Sequence, residues 1–184
     1  MYLQKDNGEF EKLSGPWEKD LDLEDTGALL FDADGDSDLD LYVVSGGNNK
    51  LRTKVFYQDR LYVNTADGFK KAEKALPEIT SSGLKVISAD YDNDGDLDLF
   101  VGGRIVPGQY PFPAKSYILR NEGGKDQFIR YVNVTDEIAP ELMEAGLVTS
   151  ALWDDFDNDG TEPMSASQLG GRVSEDARTS AGSG

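Results

Sequence analysis

The sequence predicts an all-β fold, and three observations support this prediction. An acidic segment recurs three times along the chain, short strands with apolar residues flank it, and tight-turn dipeptides with glycine follow. The 184 residues include 20 Gly and 7 Pro, which is typical of a turn-rich β protein. Apolar residues are nowhere sustained at helical spacing, so a helical bundle is not expected.

The acidic segment is an internal repeat. It reads FDADGDSDLDLYVVSGG, then ADYDNDGDLDLFVGGR, then DDFDNDGTEPM. The first aspartates of the three loops, Asp32, Asp90 and Asp155, lie 58 and 65 residues apart. A period of about 60 residues is long for the shortest propeller blades and fits a four-stranded unit with extra loop.

A second element recurs between the acidic segments. It reads YLQKDNGEF, LYVNTADGF and YILRNEGGKDQF, each an alternating strand followed by Asn-Gly, Asp-Gly or Gly-Gly and an aromatic residue. This pattern predicts a β-hairpin. Each unit is therefore expected to contain a strand, an acidic loop, a strand, a connector, a strand, a tight turn and a final strand.

Counting these strands predicts a partial β-propeller of about three four-stranded blades. The N-terminus supplies half a blade, two full blades follow, and the third acidic loop opens a last half-blade. A propeller ring closes with about four to eight blades, so two chains joined as a homodimer would supply six. We assign residues 1–160 to this half-propeller. Residues 161–184 are rich in Ser, Gly and Ala, have no strand pattern, and are interpreted as a flexible or non-native tail.

Composition limits the chemistry of the chain. With no His and no Cys, a catalytic triad with either residue is excluded, and any bound metal must have oxygen ligands. Hard cations follow, Ca²⁺ first, with Mg²⁺ or Mn²⁺ as alternatives. The net charge of −17 opposes binding to nucleic acid, and no apolar run is long enough for membrane insertion.

The acidic loops are candidate metal sites because their carboxylates alternate, as in loops that surround Ca²⁺ with oxygens. Unneutralised, so many aspartates in one loop would repel each other strongly. Site two matches the pattern fully. Site one has Ser37 where glycine is expected, which predicts a shifted or slightly strained turn, and site three ends in Pro163 without its closing aspartate. The candidate ligands are Asp32, Asp34, Asp36, Asp38 and Asp40 in site one, Asp90, Asp92, Asp94, Asp96 and Asp98 in site two, and Asp155, Asp157, Asp159 and Thr161 in site three.

These loops resemble the FG-GAP/VCBS repeats of integrin α-subunits and of many bacterial secreted proteins. The resemblance covers about residues 1–160 and rests on the pattern D-x-D-x-D-G-x-x-D-L. It implies a β-propeller with Ca²⁺ between the first two strands of a blade, and an extracellular, periplasmic or cell-surface parent protein. The first residues have neither a basic nor an apolar region, so no signal peptide is expected in this chain.

The function remains open between two classes. The first is a calcium-binding scaffold whose partner is a protein or a glycan, with the aromatic and proline-rich residues 104–113 as one contact surface. The second is a metal-dependent hydrolase of phosphoesters, for which an incomplete site three would leave room for water and substrate. The candidate catalytic residues of that alternative are Asp154 and Asp157.

Overall fold

The computed structural model describes residues 1–49, 54–123 and 128–154, and the backbone of one further strand at 164–168. Within these residues the chain is almost entirely β. The strands are β1 (Tyr2–Gln4), β2 (Phe10–Lys12), β3 (Asp25–Phe31), β4 (Asp40–Ser45), β5 (Arg60–Val63), β6 (Lys70–Lys71), β7 (Ser82–Ala89), β8 (Asp98–Ile105), β9 (Tyr117–Asn121), β10 (Tyr131–Asn133), β11 (Val148–Trp153) and β12 (Met164–Gln168). The helices are short: 3-10 turns at Pro16–Asp20, Lys54–Tyr57 and Pro140–Glu144, and α1 (Thr135–Ile138).

Two antiparallel sheets of four strands form the complete blades. The first blade has the order β3-β4-β5-β6 and the second β7-β8-β9-β10, so each is a simple meander in chain order. The acidic loops join the first strand to the second in both blades, as the sequence predicted. Pairing begins at equivalent points, because Phe31 faces Asp40 in one blade and Ala89 faces Asp98 in the other.

Two further sheets have only two strands each in the described part of the chain. We call β1 with β2 the N-terminal hairpin, and β11 with β12 the C-terminal strand pair. The prediction of an all-β, partial propeller with half-blades beside two full blades is confirmed. Strand β12 lies within residues 161–184, where the sequence showed no strand pattern. Ser, Ala and Gln have little β propensity, so only pairing with β11 defines this strand.

The sheets lie side by side, with the first strand of each blade next to its counterpart. Strand β7 contacts β3 on one side and β11 on the other. The approach is close: the Thr26 hydroxyl donates to the Gly83 carbonyl at 2.9 Å, and a Cβ on Gly27 would lie 2.4 Å from the Leu84 oxygen. Glycine at this position therefore permits adjacent blades to touch.

Apolar side chains fill the spaces between neighbouring sheets. Along β8 the direction alternates, as strand geometry requires: Leu99 and Val101 pack toward the first blade, whereas Phe100 packs toward the C-terminal strand pair. A smaller cluster lies between the first blade and the N-terminal hairpin, where Tyr62 is buried near Trp17. The core is thus a series of layers between blades.

Among the described residues, no helix is long and apolar enough to cross a lipid bilayer.

Candidate metal centre

Strand pairing positions the two described acidic loops. Each loop leaves the first strand of a blade and ends at an aspartate that opens the second strand, Asp40 in the first blade and Asp98 in the second. Because pairing holds both ends of the loop only one strand spacing apart, the intervening aspartates are confined to a tight turn. The fold of each blade therefore concentrates carboxylates at one end of its sheet.

Three carboxylates of each loop lie close enough to share one ion. Asp32, Asp34 and Asp40 offer oxygens that all lie within 4.8 Å of one another. The equivalent group in the second blade is Asp90, Asp92 and Asp98, whose oxygens also lie within 4.8 Å of one another. These are the first, third and ninth positions of each loop, so two aspartate groups can hold a metal ion.

The ninth-position aspartates are the most buried members of these groups. Asp40 and Asp98 are both fully buried. The carboxylate of Asp40 accepts hydrogen bonds from the main-chain N–H of Ala33, at 2.8 Å, and of Asn64, at 2.7 Å. This side chain therefore links its loop to the third strand of the same blade, which Asn64 follows directly.

The second blade repeats this arrangement. Asp98 accepts from the main-chain N–H of Tyr91 at 3.3 Å and of Asn121 at 2.7 Å. Asn121 also donates through its side chain to the Ala33 carbonyl at 3.1 Å, so it connects the second blade to the first loop. The composition of the loops does not reveal these asparagines. The available signal is an Asn at the same place in the motifs LYVN and YILRN.

Burial and crowding raise the pKa values of these carboxyl groups. Desolvation, only partly offset by the hydrogen bonds to Asn64 and Ala33, raises the pKa of Asp40 to about 6. Desolvation likewise raises the pKa of Asp98 to about 7, with Asp92 adding repulsion. The pKa of Asp34 is raised by desolvation and then by the negative charge of Asp36. A bound cation would reverse this penalty, because it favours the ionised form of every carboxylate around it.

The two loops turn in the same way although their glycines differ. The second loop turns through positive φ at Asn93 (58°) and Gly95 (96°), and the first at Gly35 (77°) and Ser37 (74°). Ser37 in place of glycine was expected to shift or strain this turn. The turn is not displaced, since Ser37 donates its N–H to Asp32 at 2.9 Å as Gly95 does to Asp90 at 3.0 Å.

The remaining aspartates of the loops lie outside the two groups. Asp36 and Asp94 are exposed, and each accepts a hydrogen bond of 2.9 Å from the main-chain N–H two residues later. Asp38 and Asp96 are half-buried. One oxygen of Asp38, Oδ1, is buried and has no hydrogen-bond partner in the described part of the chain. A cation is the kind of partner such an oxygen can take.

The third predicted site falls outside the described residues. Its candidate ligands are Asp155, Asp157, Asp159 and Thr161. Of the two candidate catalytic residues, Asp157 shares that segment, and Asp154 is exposed at the end of β11. The hydrolase hypothesis therefore stays a prediction.

Comparison with known families assigns part of the sequence to a repeat type. Residues 32–101 match the model of the FG-GAP-like repeat, from the first aspartate of the first loop into strand β8. The chain contains an FG-GAP-like repeat. The matched segment holds both aspartate groups and most of the first blade, so the resemblance predicted from the sequence is confirmed. FG-GAP-like repeats are typical of extracellular or surface proteins. A comparison with curated proteins found no match to the chain.

Proposed function

We propose that this chain is a calcium-binding scaffold module whose FG-GAP-like loops each take one Ca²⁺. The observation that carries the proposal is the convergence of Asp32, Asp34 and Asp40, repeated by Asp90, Asp92 and Asp98, with oxygens within 4.8 Å. Three carboxylates in one small space repel one another unless a cation neutralises them. Five aspartates at alternate positions of each loop make that repulsion larger.

Calcium is the cation that suits these donors best. It takes six to eight oxygens in flexible geometry, and carboxylates, main-chain carbonyls and water all serve. Each group offers three carboxylates, and the exposed Asp36 and Asp94 lie in the same loops as further oxygen donors. Mg²⁺ requires a smaller, near-octahedral shell and keeps its own water more firmly, so we expect weaker binding of Mg²⁺.

The role of the ion in this proposal is to fasten the blade. Asp40 and Asp98 each sit between the acidic loop and the third strand, so a cation held there stabilises contacts among three strands at once. A blade stabilised in this way can present its loops to a partner. Tyr110 and Phe112 are exposed on the loop 104–113, and we propose this loop as a contact surface for a protein or glycan at the cell surface.

Isothermal titration of chelator-treated protein with CaCl₂ tests the metal assignment. We expect Asp98→Asn to lower the number of bound Ca²⁺ ions by one, because it removes a charged ligand from the second loop alone. Asp40→Asn should do the same for the first loop, and the double variant should lose both. Asp67→Asn serves as the matched control, since Asp67 lies in an exposed turn and pairs with Lys70.

Each outcome of this titration has a clear meaning. Circular dichroism in the presence of EDTA establishes that the variants are folded before they are compared. Unchanged binding stoichiometry in the folded double variant would overturn the assignment, and so would an absence of Ca²⁺ binding by the wild-type chain. Repeating the titration with MgCl₂ tests the preference for calcium separately.

A further inference from the structure

The two sheets that have only two described strands correspond to different halves of a four-stranded blade. The N-terminal hairpin matches the last two strands of a complete blade. Its turn closes with a hydrogen bond from Gly8 to Lys5 at 2.8 Å, as the turn of the first blade closes from Gly68 to Thr65 at 2.7 Å. The C-terminal strand pair matches the first two strands, because β11 contacts β7 as β7 contacts β3. Together they would make one blade.

An aromatic side chain of the hairpin is exposed where a complete blade has a neighbouring strand. Tyr62 stands six residues before the turn glycine of the first blade and is completely buried. Tyr2 stands six residues before Gly8 in the hairpin, yet 67% of its surface is exposed. Strand β4 pairs beside Tyr62 and Trp17 packs against its ring, whereas no described strand pairs on that side of Tyr2.

An apolar side chain is also exposed on the C-terminal strand pair. Leu29 and Ile87 lie three residues before the first aspartate of their loops, and both pack against the following blade. Leu152 occupies the same position before Asp155 but is 61% exposed. Leu30, on the first strand of the first blade, is 50% exposed, and it pairs with Leu41, which packs in the cluster between this blade and the N-terminal hairpin. Apolar residues are thus uncovered at both ends of the row of sheets.

We propose that two copies of this chain join end to end into a closed ring of six blades. In this ring β1 of each copy pairs with β12 of the other, and Leu30 of each packs against Leu152 of the other. Each copy contributes one N-terminal hairpin and one C-terminal strand pair. A two-fold arrangement therefore forms two equivalent junctions and leaves no unpaired strand edge between half-blades. A second copy is favoured over closure within one chain because the described strands make about three blades, fewer than the four a ring needs.

The complete blades predict which residues face each other where β1 of one copy pairs with β12 of the other. Leu41 pairs with Leu30, two residues before Asp32, and also with Tyr62 on its other side. Met164 pairs with Trp153, two residues before Asp155, and so takes the place of Leu41. The hairpin residue equivalent to Tyr62 is Tyr2. The register therefore sets Tyr2 opposite Met164 of the second copy.

Native mass spectrometry and sedimentation of the 184-residue chain test the association. We expect twice the chain mass of 20.1 kDa, both in EDTA and in calcium, which separates this proposal from the metal assignment. Leu152→Asp and Tyr2→Asp should each give the monomer mass. Phe112→Asp is the matched control, because Phe112 is 62% exposed on a loop of the second blade, away from both ends, and should stay dimeric.

Disulfide trapping makes the test independent of whether a charged variant folds. The chain has no cysteine, so Tyr2→Cys combined with Met164→Cys introduces the only two thiols. Opposed Cβ atoms in paired strands lie near disulfide distance, and mild oxidation should therefore yield a covalent dimer. Each single variant, and Phe112→Cys combined with Met164→Cys, should remain monomeric on a non-reducing gel.

Two results would overturn the proposal. One is a wild-type chain that stays monomeric up to millimolar concentration, which would leave the missing strands to another polypeptide. The other is a disulfide within one chain when Tyr2→Cys and Met164→Cys are combined, which would mean that the ring closes on itself. Since each copy carries a net charge of −17, added NaCl should tighten the dimer by screening the repulsion.

Discussion

The carboxylate of Asp98 accepts a hydrogen bond of 2.7 Å from the main-chain N–H of Asn121, which closes the third strand of the same blade. This bond couples the acidic loop to a strand that contributes no carboxylate to the site. Calcium in the loop should therefore slow amide exchange at Asn121, and at Asn64 through the equivalent bond to Asp40. Hydrogen–deuterium exchange with and without EDTA measures this. Exchange at the exposed Gln109 amide serves as the control; equal slowing there would argue against a local coupling.

Calcium should raise the melting temperature of the chain. A ligand that binds only the folded state stabilises it by about 2.7 kcal/mol per site at a hundredfold excess over Kd. Two sites would then add about 5 kcal/mol, which corresponds to roughly 10 to 20 °C for a protein of this size. Differential scanning calorimetry with EDTA and then with CaCl₂ gives the shift. The Asp40→Asn, Asp98→Asn double variant should lose it, and a full shift in that variant would place calcium elsewhere.

Tryptophan emission should report calcium in the second loop specifically. Tyr91 of that loop stacks on Trp153, with ring centroids 6.2 Å apart and planes at 8°. Trp17→Phe leaves Trp153 as the single tryptophan, so its emission can be followed through a calcium titration. Asp98→Asn should remove the response, whereas Asp40→Asn, which changes the other loop, should keep it. A response that follows Asp40 instead would contradict this assignment.

Ser37→Gly should stabilise the protein by about 0.5 to 1 kcal/mol. Ser37 adopts φ of 74°, a conformation that costs a residue with a Cβ more than it costs glycine. Gly95 already occupies the equivalent position of the second loop. Urea unfolding of both proteins in EDTA measures the difference. The same substitution at Ser88 in strand β7 should destabilise instead, and a loss of stability at Ser37 would show that the turn is not strained.

Stability without calcium should fall as the pH rises through the range where Asp59 ionises. Desolvation raises the pKa of this buried carboxyl from 3.8 to about 7, despite hydrogen bonds from Ser45 and Tyr42. The folded state then binds a proton that the unfolded state has lost, so the contribution is complete below about pH 4 and disappears above about pH 7. Its full size is up to about 4 kcal/mol.

Asp59→Asn isolates this contribution, because the amide keeps the shape of the neutral acid. Urea unfolding in EDTA across this pH range should show a shallower decline for the variant than for the wild-type chain. Asp40 and Asp98, whose pKa values are also raised by desolvation, titrate in both proteins and cancel in the comparison. Parallel curves for the two proteins would mean that folding does not shift the pKa of Asp59.

The sequence alone determined the fold class, the period of the blades and the identity of the candidate loops. Each of these depends on short-range pattern: alternating aspartates at Asp32 and Asp90, a glycine after them, and hairpin turns such as Asp67-Gly68. The conformation of such loops and turns depends on residues that are close together in the chain, so the local pattern is enough to predict them. The conformation of Ser37 was harder to anticipate, because any residue can take positive φ when neighbouring hydrogen bonds compensate.

Only the tertiary structure decided which carboxylates converge and what holds them. The sequence pattern marks Asp40 as the closing aspartate of its loop, but only pairing at the start of β4 buries it while Asp36 stays in solvent. The bonds from Asn64 and Asn121 join residues more than twenty positions away in the chain. Burial and long-range pairing are properties of the packed blades, and these bring the oxygens of each group within reach of one ion.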